Sequence, residues 1–260
     1  MPTRSELLST ILNLLSTRDT TRCTFLAIDG PPGSGKTTLG NDLATLLASK
    51  NIPSVRLDTD GFTHPEHIRF DPDRYSPEGF LNRYNYDGFF DYAIRPLLYA
   101  EDGAGRTRYK KAIYQHEGDK ELVLPWTAAE PGAVVIVDGV FLHRAGLDGL
   151  WDVSVYLDVG EDTWIQRFMN REGVDWPLDI VKSYLVGGLR IYQQEGKPEE
   201  KATLKVDHDD FRSPSLSFNG KVKQFKHDID LDIILRELKA QTAIETGMAR
   251  KTYQPGGVPS

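Results

Sequence analysis

One short stretch of the sequence combines the residue types that bind a polyphosphate. Residues 30–37 read Gly-Pro-Pro-Gly-Ser-Gly-Lys-Thr and fill every position of the pattern G-x-x-x-x-G-K-[ST]. Backbone N–H groups must wrap around phosphate oxygens, and glycines such as Gly33 and Gly35 let the chain approach and turn closely enough. Lys36 would reach the outer phosphates, and the Thr37 hydroxyl would bind Mg²⁺. The predicted phosphate-binding residues are Gly30, Gly33, Ser34, Gly35, Lys36, Thr37 and Thr38.

The sequence on either side of this loop is the context that the pattern needs. The apolar run from Thr24 to Ile28 predicts a strand directly before it. A helix predicted from Thr37 to Ser49 follows, and its N-terminal N–H groups would point at the same anion. A glycine-rich turn followed by an ordinary exposed lysine is the simpler alternative. The order strand, loop, helix favours the phosphate loop.

Two aspartates follow the second predicted strand, Pro53 to Leu57, where they would face the terminal phosphate. A hydroxyl that attacks a phosphoryl group must lose its proton, and a positioned carboxylate can accept it. Asp60 is one candidate and Asp58 is the other, and position alone does not separate them. Asp60 could also simply cap a turn or a helix.

A third carboxylate, Asp138, ends the hydrophobic run from Val134 to Val137. In phosphate-loop proteins a carboxylate at this place commonly holds Mg²⁺ through water, beside the loop threonine. Thr37 and Asp138 are therefore the predicted metal-binding residues. The alternative is a strand-end aspartate that starts a turn with Gly139.

Cationic and histidine side chains give weaker signals. Arg167 and Arg171 are four residues apart and share one helical face, and with Arg190 they could close over the phosphates and neutralise charge. Arginines on a helix surface are more often simply solvated. The histidines at 64, 67 and 116 lack the spacing of a metal site, and their expected role is at most substrate contact.

Composition limits the classes of partner. The 260 residues are 39% hydrophobic and 27% charged, which is typical of a globular protein with one large or two small domains. A net charge of −7 argues against an obligate nucleic-acid partner, because no basic excess offsets phosphates. The single Cys23 fits a reducing compartment. No stretch reaches the roughly 18 apolar residues of a membrane span, so we expect a cytoplasmic protein without a membrane partner.

Strands alternate with helices along most of the chain, which predicts an α/β fold with a doubly wound parallel sheet. Amphipathic or apolar patterns predict the elements in the following order: a helix over 5–15, loops and short helices over 63–90, a helix from Phe89 to Tyr99 interrupted at Pro96, a hairpin-like excursion from Arg106 to Leu124, a strand from Val153 to Asp158, helices from Thr163 to Arg171 and Ser183 to Gln194, a final strand from Leu204 to Val206, a helix from Asp230 to Thr246, and a mobile tail from Gln254 to Ser260.

The segment over 63–90 is rich in aromatic residues. They could stack on a planar base, but the pattern favours core packing beneath a lid. The residues concerned are Tyr75, Tyr84, Tyr86, Phe89 and Phe90.

Taken together, these motifs resemble one family. The phosphate loop and four further segments occur in the order seen in uridine kinase-like proteins, which belong with phosphoribulokinase and bacterial pantothenate kinase. These segments are Asp60-Gly61-Phe62, Tyr86-Asp87, residues 138–142 (Asp-Gly-Val-Phe-Leu) and residues 167–171 (Arg-Phe-Met-Asn-Arg). Residues 74–80 and 150–158 look especially like the bacterial uridine kinase-like branch. The resemblance covers roughly residues 20–212.

The resemblance implies a phosphate-loop fold with a helical lid and a specific reaction. That reaction is ATP-dependent phosphorylation of a small-molecule hydroxyl, typically the ribose 5′-OH of uridine or cytidine, with Mg²⁺ as cofactor. Asp60 would then be the general base, Asp87 would bind the ribose hydroxyl pair, and Tyr114 and His116 would lie where the base is contacted. Arg167, Arg171 and Arg190 match lid arginines. Lys36, Asp60, Arg167 and Arg171 are the predicted catalytic residues.

The sequence also departs from the family pattern. Asp138 stands where nucleoside kinases often have Glu, which should still serve the metal. Residues 115–117 lack the Tyr-Asp-Phe and His-Ser-Arg motifs of uridine kinases, so the acceptor could be another alcohol, such as a sugar or a pantothenate-like compound. A nucleotide-binding regulatory protein is the alternative from a different class. We expect a kinase core over 1–212, a C-terminal extension over 213–260, and a small-molecule partner, with a homo-oligomer as an open option.

Overall fold

The strands on both sides of the phosphate loop enter one six-stranded sheet. The structure is a computed structural model that describes residues 3–69, 75–99, 107–115, 118–171, 175–219 and 229–252. Its strands are β1 (Thr24–Asp29), β2 (Ser54–Asp58), β3 (Thr107–Tyr109), β4 (Tyr114–Gln115), β5 (Lys120–Glu121), β6 (Thr127–Ala129), β7 (Val134–Gly139), β8 (Val153–Asp158), β9 (Leu204–Asp207) and β10 (Ser215–Phe218). The large sheet has the order β10-β9-β8-β1-β7-β2, and every pair except β10 with β9 is parallel.

Helices connect these strands and cover the sheet. They are α1 (Arg4–Leu14), α2 (Lys36–Ser49), α3 (Glu66–Arg69), α4 (Pro77–Leu81), α5 (Tyr86–Phe89), α6 (Arg95–Leu98), α7 (Glu161–Met169), α8 (Leu178–Ile180), α9 (Gly187–Gly196), α10 (Pro198–Lys201) and α11 (Leu231–Thr252). Short 3₁₀ or π turns occupy Thr59–Phe62, Phe90–Ile94, Leu147–Gly149 and Val181–Val186. None of the helices in the described ranges combines the length and the apolar composition of a membrane span.

Successive side chains of β1 point into two separate cores, one on each face of the sheet. Leu26 and Ile28 pack with apolar residues of α1 and α2. Phe25 and Ala27 pack on the opposite face, with residues of α5, α6 and α11. A strand that is buried on both faces needs apolar residues at nearly every position, which explains the continuous apolar runs of β1 and β7. The predicted doubly wound α/β fold is confirmed.

A third core lies beneath the short helices at the carboxyl end of the sheet. Its aromatic rings meet edge to face, with Phe80 and Phe141 at 4.9 Å and Phe141 and Tyr192 at 5.1 Å between ring centroids. Tyr84, predicted as core, is buried in this cluster, and Phe89 and Phe90 are buried in the neighbouring core. The rings of these three residues therefore pack in the core, as predicted.

One strand of the large sheet, β10, was not predicted from the sequence. The strand predicted from Leu204 to Val206 is present as β9, but the prediction that it is the final strand was wrong, because β10 follows it and pairs with it antiparallel at the sheet edge. Ser215, Ser217 and Phe218 of β10 are exposed, so the strand lacks the buried run by which the others are recognised. Elements on both sides of residue 212 thus share one sheet.

The predicted hairpin and the predicted interrupted helix take different forms. The excursion after residue 106 makes two small sheets, β3 with β6 and β4 with β5, so the partner of β3 lies beyond the predicted end. Arg106 itself is outside the described residues. The helix around Pro96 is divided into α5, a π turn and α6, and Pro96 lies in the first turn of α6, where its missing N–H costs little.

The predicted C-terminal amphipathic helix is confirmed as α11. Leu231, Ile234, Leu235 and Leu238 are buried in the core that also contains Phe25. The predicted tail from Gln254 to Ser260 lies outside the described residues. The C-terminal helix is therefore packed on the sheet's own core.

Replacing Leu238, which is 1% exposed, with alanine tests this packing. We expect Leu238→Ala to lower the free energy of unfolding by about 2–5 kcal/mol, since it removes a buried side chain and leaves a cavity. Urea unfolding followed by circular dichroism measures the effect. Ile233→Ala is the matched control, because Ile233 is 46% exposed on the same helix. Equal losses in the two variants would contradict the packing described.

Candidate functional site

The phosphate loop joins β1 to α2 through two glycines in left-handed conformations. Gly33 has φ +73° and Gly35 has φ +92°, values that L side chains rarely adopt. Gly35 is the N-cap residue of α2 and carries no side chain that could cap the first N–H groups of the helix. Ser34 in the same loop is buried, and its hydroxyl has no partner among the described residues. These features suit a loop whose amides surround an anion.

Lys36 folds back across the loop from the first turn of α2. Its Nζ donates to the carbonyl oxygens of Gly30 at 2.9 Å and Pro31 at 2.8 Å. Burial lowers the pKa of the Lys36 ammonium, and the nearby carboxylates of Asp29 and Asp138 oppose that shift. The ammonium is thus held over the loop between backbone carbonyls and a group of acids. Thr38, the other predicted residue here, is exposed in the same turn.

The two residues predicted to bind metal are in direct contact. Thr37 Oγ1 donates to Asp138 Oδ2 at 2.7 Å, although the residues are far apart in sequence. The other oxygen, Asp138 Oδ1, accepts from Arg56 Nη2 at 2.6 Å. A hydroxyl and a carboxylate beside a phosphate loop are oxygen donors of the kind Mg²⁺ takes, with phosphate oxygens and water completing its shell. Sequence reasoning missed Arg56, because nothing in its pattern distinguishes it from a surface arginine on a strand.

The two candidate base residues have different surroundings. Asp58 ends β2, directly opposite Asp138 in the strand pairing, and it accepts the backbone N–H of Asp60 at 2.9 Å. Burial, with the charges of Asp60 and Asp138, raises the pKa of Asp58 to about 7. Asp60 Oδ1 instead accepts from the Tyr84 hydroxyl at 3.1 Å and lies 3.7 Å from Arg83 Nη2. Asp58 therefore caps the turn, while Asp60 is oriented by side chains from another segment.

The predicted acceptor residues lie on two segments beside Asp60. Asp87 is in the first turn of α5, three residues after Tyr84, and its Oδ1 is 2.7 Å from Lys239 Nζ of α11. Tyr114 is almost fully buried and donates to Asp119 Oδ1 at 2.6 Å, and burial together with that carboxylate raises its pKa to about 12. His116 lies outside the described residues.

The three predicted lid arginines have different surroundings. Arg167 on α7 donates to the carbonyl oxygens of His208 and Asp209, in the segment after β9. Arg171 follows α7 and is exposed. Arg190 on α9 is also exposed and pairs with Glu161 at 3.0 Å. Arg167 is thus tied to the segment after β9, whereas Arg190 is tied to the first residue of α7.

Helix α7 packs directly against the phosphate loop. A Cβ atom added at Gly33 would lie 3.0 Å from the backbone oxygen of Trp164 and 3.0 Å from the backbone nitrogen of Phe168. On the other side of the loop, His208 Nδ1 is 2.8 Å from the carbonyl oxygen of Ser34. The loop is thus held between α7 and the segment that follows β9.

A buried carboxylate at the start of the loop was missed by sequence reasoning. Asp29 is fully buried, and its Oδ1 accepts from the N–H of Gly30 at 2.7 Å. Its Oδ2 accepts from the Tyr192 hydroxyl and lies 2.7 Å from His143 Nδ1. Its place between an apolar run and Gly30 was the one available signal. Its partners come from distant segments and could not have been found that way.

A sequence model of the phosphoribulokinase/uridine kinase family matches residues 25–176. The chain belongs to this family. The members of this family are kinases, which agrees with the resemblance to uridine kinase-like proteins. The match contains the phosphate loop, Asp60, Asp87 and Asp138, and it ends before α9 and α11.

Solved structures share the fold of this kinase family member. A possible uridine kinase from Bacillus stearothermophilus is 23% identical, with a TM-score of 0.57, over 78% of this chain and 97% of that chain. D-glycerate 3-kinase from Cryptococcus neoformans var. grubii is 10% identical, with a TM-score of 0.58, over 83% of this chain and 98% of that chain. At these identities the likeness concerns the fold alone. The search of curated proteins found no match.

The geometry at Gly33 yields a prediction for the loop. We expect Gly33→Ala to weaken ATP binding by at least about tenfold, since an L residue in a left-handed conformation costs roughly 1–2 kcal/mol and the new Cβ would press on α7. Titration calorimetry with Mg²⁺ and ATP measures the dissociation constant. Gly149→Ala is the control, because its Cβ would meet nothing within 4 Å. Unchanged affinity in Gly33→Ala would show that the loop does not carry nucleotide.

Proposed function

We propose that this family member is an ATP-dependent kinase that phosphorylates a hydroxyl of a small molecule, foremost the 5′-OH of a pyrimidine nucleoside such as uridine. The observation that carries the proposal is the arrangement of three groups at one edge of the sheet. These are the glycine loop with Lys36, the Thr37–Asp138 pair, and Asp60 in the turn that follows β2. A protein that only binds a nucleotide needs no carboxylate at that third position.

In this proposal the loop binds the donor nucleotide. The amides of residues 30–38 and the N-terminus of α2 would surround the phosphates of ATP, and Lys36 would exchange its carbonyl partners for phosphate oxygens. Thr37 and Asp138 would hold Mg²⁺, which neutralises charge on the phosphates when bound. Arg56 keeps the Asp138 carboxylate oriented through its other oxygen.

Asp60 is the group that we assign to proton transfer. The acceptor hydroxyl gives its proton to the Asp60 carboxylate while its oxygen bonds to the γ-phosphorus, and the bond to the ADP oxygen breaks. The Tyr84 hydroxyl and the Arg83 guanidinium both contact Oδ1 of Asp60, and these contacts orient the carboxyl group. Positioning can supply up to about 7–11 kcal/mol of the barrier reduction.

The acceptor is the finer part of the proposal. Asp87 would accept hydrogen bonds from a pair of ribose hydroxyls, and Tyr114 lies in the neighbouring segment that would contact the base. A sugar or pantothenate-like alcohol is the second candidate. The fold is shared with structures described as a possible uridine kinase and as D-glycerate 3-kinase, so both kinds of acceptor belong in the test.

A panel of acceptors separates these possibilities. The purified chain is incubated with Mg²⁺ and ATP plus uridine, cytidine, D-ribose, D-glycerate or pantothenate, and ADP release is measured. Mass spectrometry of the product then shows which acceptor has gained a phosphoryl group. We expect fastest turnover with a pyrimidine nucleoside. ATP binding without any phosphorylated product would favour a nucleotide-binding regulatory protein and overturn the proposal.

Substitution of Asp60 tests the assigned base. We expect Asp60→Asn to lower kcat by about 10²–10⁴-fold while the KM for ATP stays nearly unchanged, because the amide cannot accept the proton but keeps the shape of the side chain. Asp58→Asn is the comparison, since Asp58 is the competing carboxylate and caps the same turn. A larger loss of kcat in Asp58→Asn would assign the proton transfer to Asp58 instead.

A further inference from the structure

A helix outside the family match reaches the predicted acceptor site. The match ends at residue 176, whereas α11 spans Leu231–Thr252. From this helix Lys239 Nζ contacts Asp87 Oδ1 at 2.7 Å. Asp87 lies close to the candidate base, because the bridge between Thr63 and Tyr84 joins their two segments. The contact therefore brings a cation from α11 to the place where an acceptor would lie.

Packing fixes α11 in this position. Its four buried residues share a core with Phe62, which ends the turn that contains Asp60, and with Phe89 of α5. At Gly146 the backbones approach so closely that an added Cβ would lie 3.2 Å from the Ile234 carbonyl oxygen. The helix is thus anchored to the same core as the segments that carry Asp60 and Asp87.

Polar contacts also hold α11, near its start and again near its middle. Near its start, Arg95 pairs with Asp232 at 2.8 Å. Just beyond Lys239, the Gln241 amide donates to Glu195 of α9 at 2.9 Å. Lys239 follows Leu238 and is four residues after Leu235, so it lies at the border of the buried face. Its ammonium is directed to Asp87 by an anchored helix.

We propose that α11 forms one wall of the acceptor site, and that Lys239 and Asp87 together recognise adjacent hydroxyl groups of the acceptor. This proposal rests on the proposed function. A hydroxyl both donates and accepts, so it can donate to the Asp87 carboxylate while it accepts from the Lys239 ammonium. Because the two charges cancel, the pair suits an uncharged vicinal diol better than an anionic acceptor. Lys239 is then a specificity-determining residue supplied from outside the family match.

The ion pair can be removed without unfolding the protein. The Lys239 and Asp87 side chains are both more than half exposed, and exposed ion pairs contribute little to stability. Lys239→Met keeps the long alkyl chain and the helix propensity but removes the ammonium. Arg236→Met is the matched control, since Arg236 carries the same charge on the same helix and is exposed. Thermal unfolding should distinguish neither variant from the wild type.

Kinetics with paired acceptors provide the test. Wild type, Lys239→Met and Arg236→Met are compared on uridine against 2′-deoxyuridine and on D-ribose against 2-deoxy-D-ribose, with ATP saturating. For Lys239→Met we expect kcat/KM for the diol acceptor to fall about tenfold, as for a lost hydrogen bond to a charged group, with the KM for ATP unchanged. The preference for the diol over its deoxy analogue should contract toward one. A merely structural defect would lower kcat/KM equally for the diol acceptor and its deoxy analogue, and that result would contradict the proposal.

The outcomes separate this proposal from the proposed function. If wild type phosphorylates a diol acceptor and Lys239→Met retains both its kcat/KM and its preference, the role of Lys239 is overturned and the kinase assignment stands. Higher turnover in Lys239→Met would also overturn it, because the pair would then obstruct the acceptor. If wild type phosphorylates no acceptor, the proposed function fails and the inference fails with it.

Discussion

The site depends on the parallel pairing of β1, β7 and β2. In that register Ile28 lies opposite Asp138, and Asp138 lies opposite Asp58. Since parallel strands end at the same edge, the pairing brings together residues that are far apart in sequence. Asp29, Asp138 and Asp58 all follow apolar strand residues, so their carboxyl groups come to one edge. A slip of the register by one residue would turn each carboxylate to the other face of the sheet.

Charge at this edge is balanced by cations that arrive from different elements. Lys36 comes from α2, Arg56 from β2 and Arg83 from the segment before α5. Arg83 is mostly buried and lies 5.4 Å from the ring centres of Phe80 and Tyr84, so packing fixes its guanidinium beside Asp60. Buried carboxylates without such partners would be costly. The acids and bases of the site are therefore interdependent.

Much of this arrangement could be predicted from local sequence, and the rest could not. The glycine loop, the runs of β1 and β7 and the apolar face of α11 have short-range signals, and each was placed within a few residues. Strand β10 has no such signal, because it is short and mostly exposed. The contacts of Asp29, Arg56 and Lys239 join segments far apart in the chain, and periodicity carries no information about such pairs. The pairing of Arg190 with Glu161 is a further contact between distant segments that the sequence pattern did not indicate.

The contact between Gly33 and α7 limits which amino-acid substitutions this protein can tolerate in evolution. The helix meets the loop through the backbone atoms of Trp164 and Phe168, which every amino acid possesses. Drift in the identities of the exposed residues of α7 would therefore leave the spacing between helix and loop intact. Gly33 has no such freedom. We therefore expect substitutions to be tolerated on the α7 side of this contact and not on the loop side.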